Sequence, residues 1–250
     1  MYKLYNRDSL EVMKGMEGNT INLILTDPPY NLGNFMKNRQ TNLGKMRENF
    51  FGNKGWDELS FDEWYDNMDH FFSEADRVIK KGGAIVVFMA VIKVESLVEL
   101  AQKHGFYYKT TGVWHKTNPM PRNMNLHFVN SNESWVYFVK GARTGTFNNH
   151  GKLILDYIET SVTPKSETLF GRHPTQKPVQ LMAHFINLLS NEGDMIFDPF
   201  MGSGTTGVAA VCANRNFIGV DLSSEYTKIA TNRITEVLTQ PQQETLELDE

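Results

Sequence analysis

The chain is poor in cysteine: Cys212 is the single one in 250 residues. That excludes an internal disulfide framework and any cysteine-based zinc site. Its helix-forming neighbours make Cys212 read as a small buried side chain. No apolar run approaches the length of a membrane span. The N-terminus also lacks a basic segment followed by an apolar one, so the protein reads as cytoplasmic. There is no internal repeat and no low-complexity linker, which leaves one domain over residues 1–250. Nor is there an overall excess of basic charge: the net charge is −4, which taken alone argues against a polyanionic partner.

The distribution of charge differs from its sum. Between Asn31 and Trp56 lie Lys37, Arg39, Lys45, Arg47 and Lys54 against Glu48 alone. Basic residues also outnumber acidic ones from Lys109 to Lys177, while Glu244, Glu247, Asp249 and Glu250 crowd a tail, 240–250, expected to be disordered. Such basic stretches are a weak pointer to nucleic acid, because most are simply solvated faces. His115, His127, His150 and His173 are not spaced as a metal set, so no metal is expected.

Strand and helix patterns alternate. Ile21–Thr26 is a continuous apolar run of the kind buried on both faces of a parallel sheet. From Phe61 to Ile79 apolar residues recur at helical spacing, and Gly82-Gly83 reads as the stop. Strands are expected at Tyr2–Asn6, Ala84–Met89, Phe106–His115, Ser134–Val139, Asp194–Phe197 and Asn216–Val220. Helices are expected before Gly105, from about Gln176 to Asn191, up to Cys212, and over Glu225–Leu238. The result is a doubly wound α/β fold with a mostly parallel sheet and one antiparallel hairpin. Two stretches, 31–60 and 141–173, fit no regular element, and loops of that length are usually functional.

"MIFDPFMGSGTTG" places Gly202, Gly204 and Gly207 in a G-x-G-x-x-G pattern between strand and helix, and Asp221 ends the following strand. That layout suits a nucleoside: glycines bring backbone close to the ligand, and a carboxylate accepts from ribose hydroxyls. No lysine follows as a phosphate-binding loop requires, so ATP is not expected. The motif alone leaves NAD and S-adenosylmethionine open. Asp198, just before the turn, would repel a pyrophosphate and attract an ammonium, which favours the methionine compound. Lys177 in "HPTQKP" is a candidate partner for that compound's carboxylate.

"LILTDPPYNLG" ends the Ile21–Thr26 strand in Asp27, Pro28, Pro29 and Tyr30. In doubly wound sheets ligands sit beyond the carboxyl ends of the strands. If this strand and the one ending at Phe197 are neighbours, Asp27–Tyr30 faces whatever the glycine turn holds. Proline lacks an N–H and fixes φ, so the Pro28 carbonyl can be aimed rigidly. With the Asp27 carboxylate it makes a pair of acceptors for an exocyclic amine, and Tyr30 offers a face for a planar base.

These motifs, catalytic first and cofactor second, resemble the amino-methylating DNA methyltransferases of the β class. "HPTQKP" is similar to a further cofactor motif of that family and "NRDSLEVMKGM" to its N-terminal segment. The Lys116–Gly141 stretch resembles the small adenine methyltransferases of type II restriction–modification systems. The resemblance implies a Rossmann-like fold that takes S-adenosylmethionine and methylates N6 of an adenine flipped out of double-stranded DNA. It implies a cofactor site of Asp8, Asp27, Lys177, Asp198, Phe200, Gly202, Ser203, Gly204, Thr205 and Asp221, with Asp8 beside the cofactor adenine. Asp at position 27 fits the adenine type; cytosine N4 is the alternative acceptor, and a nicotinamide-dependent oxidoreductase the alternative of another class. The loop 31–60 and the stretch Lys116–Arg122 are expected to face DNA, through Lys37, Arg39, Lys45, Arg47, Lys116, Asn118, Arg122 and Asn123. Residues 141–173 sit where the family places target recognition. That region is short here, which points to a short site or to help from a second copy of the chain. A homodimer and a cognate restriction endonuclease are the further partners the resemblance raises; no membrane is expected.

Overall fold

The computed structural model describes residues 1–32, 59–121, 124–125 and 128–239. Most of the expected 31–60 loop, with Lys37, Arg39, Lys45 and Arg47, therefore lies outside the described residues, as do Arg122, Asn123 and the 240–250 tail. The strands are β1 (Tyr2–Tyr5), β2 (Ile21–Thr26), β3 (Ile79–Met89), β4 (Phe106–Lys116), β5 (Asn132–Lys140), β6 (Tyr157–Thr160), β7 (Met195–Asp198) and β8 (Asn216–Val220). The α-helices are α1 (Ser9–Lys14), α2 (Phe61–Val78), α3 (Val94–Lys103), α4 (Val179–Leu189), α5 (Thr205–Cys212) and α6 (Ser224–Thr239).

One sheet runs β1-β8-β7-β2-β3-β5-β4-β6. Every adjacent pair among the described strands is parallel except β3–β5 and β4–β5, so β5 alone is reversed. Side chains alternate across this sheet. Leu23, Leu25, Val86 and Phe88 point to the face covered by α4, α5 and α6. Ile24, Ile85, Val87 and Phe138 point to the face covered by α1, α2 and α3. Burial on both faces explains why β2 and β3 read as unbroken apolar runs.

The first turn of α2 is fixed by a reciprocal cap: Ser60 Oγ accepts from Glu63 N–H at 3.2 Å, and Glu63 Oε2 accepts from Ser60 N–H at 2.8 Å. The buried face of that helix carries Phe72, whose ring centroid lies 5.9 Å from Phe106 and 6.0 Å from Phe138. Edge-on packing of this kind ties α2 to the middle of the sheet.

Three expectations are corrected. Gly82-Gly83 does not end the helix: α2 stops at Val78, and β3 starts at once and runs through both glycines. Gly82 has φ +78°, a left-handed conformation, and a Cβ at Gly83 would lie 2.8 Å from Ile79 Cγ1. The glycines thus serve a register shift within the strand, where β2 pairing jumps between Ile21 and Leu23. Second, the 141–173 region is not wholly irregular. Its β6 joins the sheet edge, pairing Val113↔Tyr157 through Lys116↔Thr160, and Trp114 Nε1 donates to Thr160 Oγ1 at 2.8 Å. Third, Cys212 is exposed, because it ends α5 instead of lying inside it.

Phe138 is fully buried between β3, β4 and α2. Phe138→Ala is expected to lower unfolding stability by about 3–5 kcal/mol, the usual cost of emptying an aromatic core site. Chemical denaturation measures it, and a loss below about 1 kcal/mol would contradict this packing.

Candidate functional site

The adjacency on which the site depends is present. β2 and β7 are parallel neighbours, Leu23↔Ile196 and Ile24↔Phe197, so both chains leave the sheet at the same end. A side-chain bond fastens the two exits: Thr26 Oγ1 donates to Asp198 Oδ1 at 2.8 Å. Between them opens a cleft whose walls include Asp27, Lys177, Asp198, Phe200, Gly202 and Ser203.

The glycine turn is built as its residue types require. Gly202 and Gly204 have φ of +52° and +78°, conformations that cost a side-chain-bearing residue energy. A Cβ on Gly202 would sit 3.3 Å from His173 Nε2 at the cleft, and one on Gly204 would sit 2.6 Å from Ala230 Cβ. Gly207 lets α5 press on the sheet, since a Cβ there would meet Phe217 and Ile234 at 2.6 Å. Asp221 Oδ2 accepts from Gly202 N–H at 3.1 Å and Oδ1 from Ser223 N–H at 2.7 Å, so the expected ribose acceptor also braces the turn.

Asp198 is buried under the turn. Oδ1 accepts from Thr26 Oγ1 and from Phe200 N–H at 3.1 Å, and Oδ2 accepts from Thr206 Oγ1 at 2.6 Å. Burial pushes its carboxyl up to about 6, although the Thr206 and Thr26 hydroxyls and the Phe200 amide draw it back. "HPTQKP" straps over the turn from α4: Ser203 Oγ donates to Gln176 Oε1 at 2.8 Å.

The catalytic candidates meet a network that extends beyond them. Lys177, 5% exposed, donates to Asp27 Oδ2 and lies 3.1 Å from Glu133 Oε2. Tyr30 Oη donates to Glu133 Oε2 at 3.3 Å, and Lys116 Nζ approaches Glu133 Oε1 at 2.5 Å. Asp27 Oδ1 is buried and makes no hydrogen bond among the described residues. A buried, unpartnered carboxylate oxygen at a cleft wall is costly unless a donor arrives there.

Protonation follows the geometry. Burial raises the Asp27 carboxyl and Glu133 raises it further, while Lys177 opposes both. Burial alone would raise Glu133, but Lys177 and Lys116 override it and hold Glu133 at about 2. Burial would lower Lys177, yet the two carboxylates keep its ammonium above the usual range. Burial and the same carboxylates push the Tyr30 hydroxyl well up. At neutral pH the network thus holds the Lys177 ammonium, an ionised Glu133 and a neutral phenol.

Several candidate site residues have partners within the chain. Lys177, the candidate for a cofactor carboxylate, lines the cleft and pairs there with Asp27 and Glu133. Lys116, expected on DNA, turns inward to Glu133. Asn118 Oδ1 accepts from Val162 N–H at 2.8 Å, tying the end of β4 to the chain after β6. Asp8 caps α1, accepting from Glu11 N–H at 3.1 Å, and is not among the residues lining the cleft.

Two residues escaped sequence reasoning. Glu133 had one signal, a lone acid opening an apolar strand within a basic stretch. Arg233 is 5% exposed and donates to Ser203 O at 2.8 Å and Thr205 Oγ1 at 2.9 Å, bracing the turn from α6. Its signal was position: it shares the buried face of α6 with Ile229, Ala230 and Ile234.

Comparison with known proteins follows the same outline. The family described as DNA methylase, of the N6/N4 type, matches residues 21–232. The chain is 34% identical over 242 residues to the type II methyltransferase M2.LlaDCHI of Lactococcus lactis subsp. cremoris, covering 92% of this chain and 88% of that one. It is 33% identical to the type II methyltransferase M2.DpnII of Streptococcus pneumoniae, with the same coverages of 92% and 88%. Among solved structures, the M1.HpyAVI–SAM complex superposes with a TM-score of 0.71 at 27% identity, covering 94% of this chain and 99% of that one. The cytosine-N4-specific PvuII methyltransferase shares the fold, with a TM-score of 0.75 at 19% identity over 94% of this chain and 90% of that one.

The turn itself supplies a stability test. Gly204→Ala combines left-handed strain with a steric overlap against Ala230 and is expected to cost about 2–4 kcal/mol. Thermal and denaturant unfolding measure it; a variant as stable as the parent would contradict the described turn.

Proposed function

The chain belongs to the N6/N4 DNA methylase family, and from that premise we propose that it methylates N6 of an adenine flipped out of double-stranded DNA. Its cofactor is S-adenosylmethionine. The observation that carries the adenine reading is the Asp27 carboxylate, which lines the cleft with Oδ2 pinned by Lys177 and Oδ1 buried and unpartnered. An exocyclic amine is the donor that such an oxygen lacks. Asp at this position, in place of the Ser expected of a cytosine type, favours adenine over cytosine N4. The dinucleotide alternative leaves the Asp27–Tyr30 corner without a role.

The residues present suit the cofactor. The left-handed glycine turn leaves room that a Cβ would fill at Gly202, and Asp198 lines the cleft with a carboxylate for an ammonium. When bound, S-adenosylmethionine supplies an electrophilic methyl group on a sulfonium.

The work of the chain is to prepare the amine. Asp27 Oδ1 and the Pro28 carbonyl accept its two hydrogens and draw the nitrogen towards a tetrahedral lone pair. Tyr30 provides the stacking face that keeps the base plane still. The amine turns acidic only as the new bond forms, and Asp27 Oδ1 is then placed to take the proton. Most of the gain comes from position and from electrostatics fixed in advance. The basic residues Lys37, Arg39, Lys45, Arg47 and Arg122 suit contacts to DNA phosphates. The relatives' type II naming supports a cognate restriction endonuclease as a partner in the same system.

Two outcomes are expected. Asp27→Asn lowers the methylation rate by at least about 100-fold and leaves cofactor affinity within a few-fold, measured by product-base analysis and calorimetry; an unimpaired variant would contradict the assignment. The charged form of Asp198 attracts an ammonium and is present above its pKa of about 6. Cofactor affinity should therefore fall as pH drops through that value, and Asp198→Asn should flatten the dependence. A parent profile that is flat across that range would rule out the contact.

A further inference from the structure

Glu133 stands opposite Trp114 at the start of β5 and joins four elements that the sequence keeps far apart. Its Oε2 receives Lys177, from the strap before α4, and Tyr30, from the loop after β2; its Oε1 receives Lys116, from the end of β4. A carboxylate meant only to steady the β4–β5 hairpin would be satisfied by Lys116. Bringing a second, nearly buried ammonium and a phenol to it adds desolvation cost with little return in stability. The arrangement makes sense as a means of fixing Asp27.

We propose that Glu133 is a positioning residue for methyl transfer, holding Lys177 shared between two carboxylates and the Tyr30 ring in place by its hydroxyl. This rests on the function proposed above. The charge count shows what sharing does. Two carboxyl groups, Asp27 and Glu133, face two amino groups, Lys177 and Lys116, so Lys177 is shared and Asp27 keeps its strength as an acceptor. Without the Glu133 charge, one carboxylate faces two ammoniums. Lys177 then pairs with Asp27 alone, which weakens the pull of Oδ1 on the amine and lowers its proton affinity. Tyr30 also loses its anchor. The effect reaches the substrate only through Lys177, Asp27 and Tyr30.

The test is Glu133→Gln in the full chain, assayed on DNA with product-base identification. Expected are a kcat lowered more than tenfold, KM values for DNA and S-adenosylmethionine within threefold, and an acid limb of the kcat–pH profile displaced to lower pH. That displacement separates loss of the Glu133 charge from simple loosening, which would leave the limb in place. A smaller fall in kcat, or a fall with the limb unmoved, overturns the inference. If Glu133→Gln does not fold, Glu133→Asp keeps the charge but shortens the reach. Its kcat should fall more than tenfold with the limb unmoved, and a parental kcat overturns the inference. Failure of the parent enzyme to methylate adenine would instead defeat the proposed function, and this inference with it.

Discussion

The site depends on one constraint, the parallel pairing of β2 with β7. Because the strands run the same way and lie side by side, the Asp27–Tyr30 corner and the Gly202–Gly204 turn must leave the sheet at one end. The Thr26–Asp198 hydrogen bond then fixes the spacing of the two loops. Reversing either strand, or placing another between them, would separate acceptor from cofactor turn by the width of a strand or the length of the sheet. The antiparallel β5 does not disturb this, since it lies beyond β3 and contributes Glu133 from the other side.

Around that constraint the structure spends stability on position. Lys177 and Asp198 are buried and Asp27 is half-buried, and buried charge stabilises a fold weakly or not at all. The core must offset the cost, and it does so with aromatic packing on both faces, as where Phe72 meets Phe106 and Phe138 and where Trp135 meets Phe185 at 5.1 Å. What the ion network provides is a carboxylate with one oxygen immobilised and the other left without a hydrogen-bond partner. The glycine turn is likewise held in position, with Arg233 and Asp221 bracing backbone in a left-handed form.

Much of this was legible in the sequence because it is local. Ile21–Thr26 reads as a doubly buried strand from its unbroken apolar run, and its observed limits agree. The glycine spacing before α5 reflects close approaches that no other residue allows. What was not legible depends on long-range contact. Lys177 lies 150 positions from Asp27, and nothing local shows that its ammonium faces inward. Lys116 reads as a solvent-facing base for the same reason. Gly82-Gly83 resembles a helix stop because glycine serves both there and at a strand irregularity. Strand β6 is too short to announce itself and is held mainly by its pairing with β4.

A ternary crystal structure with duplex DNA and S-adenosylhomocysteine tests the central claim most directly, through the distance from the target adenine N6 to Asp27 Oδ1. The account predicts hydrogen-bond contact, about 3 Å, with the nucleoside lying on the Gly202–Gly204 turn. A flipped adenine whose amino group is turned away from Asp27, or a nucleoside lodged off that turn, would contradict it.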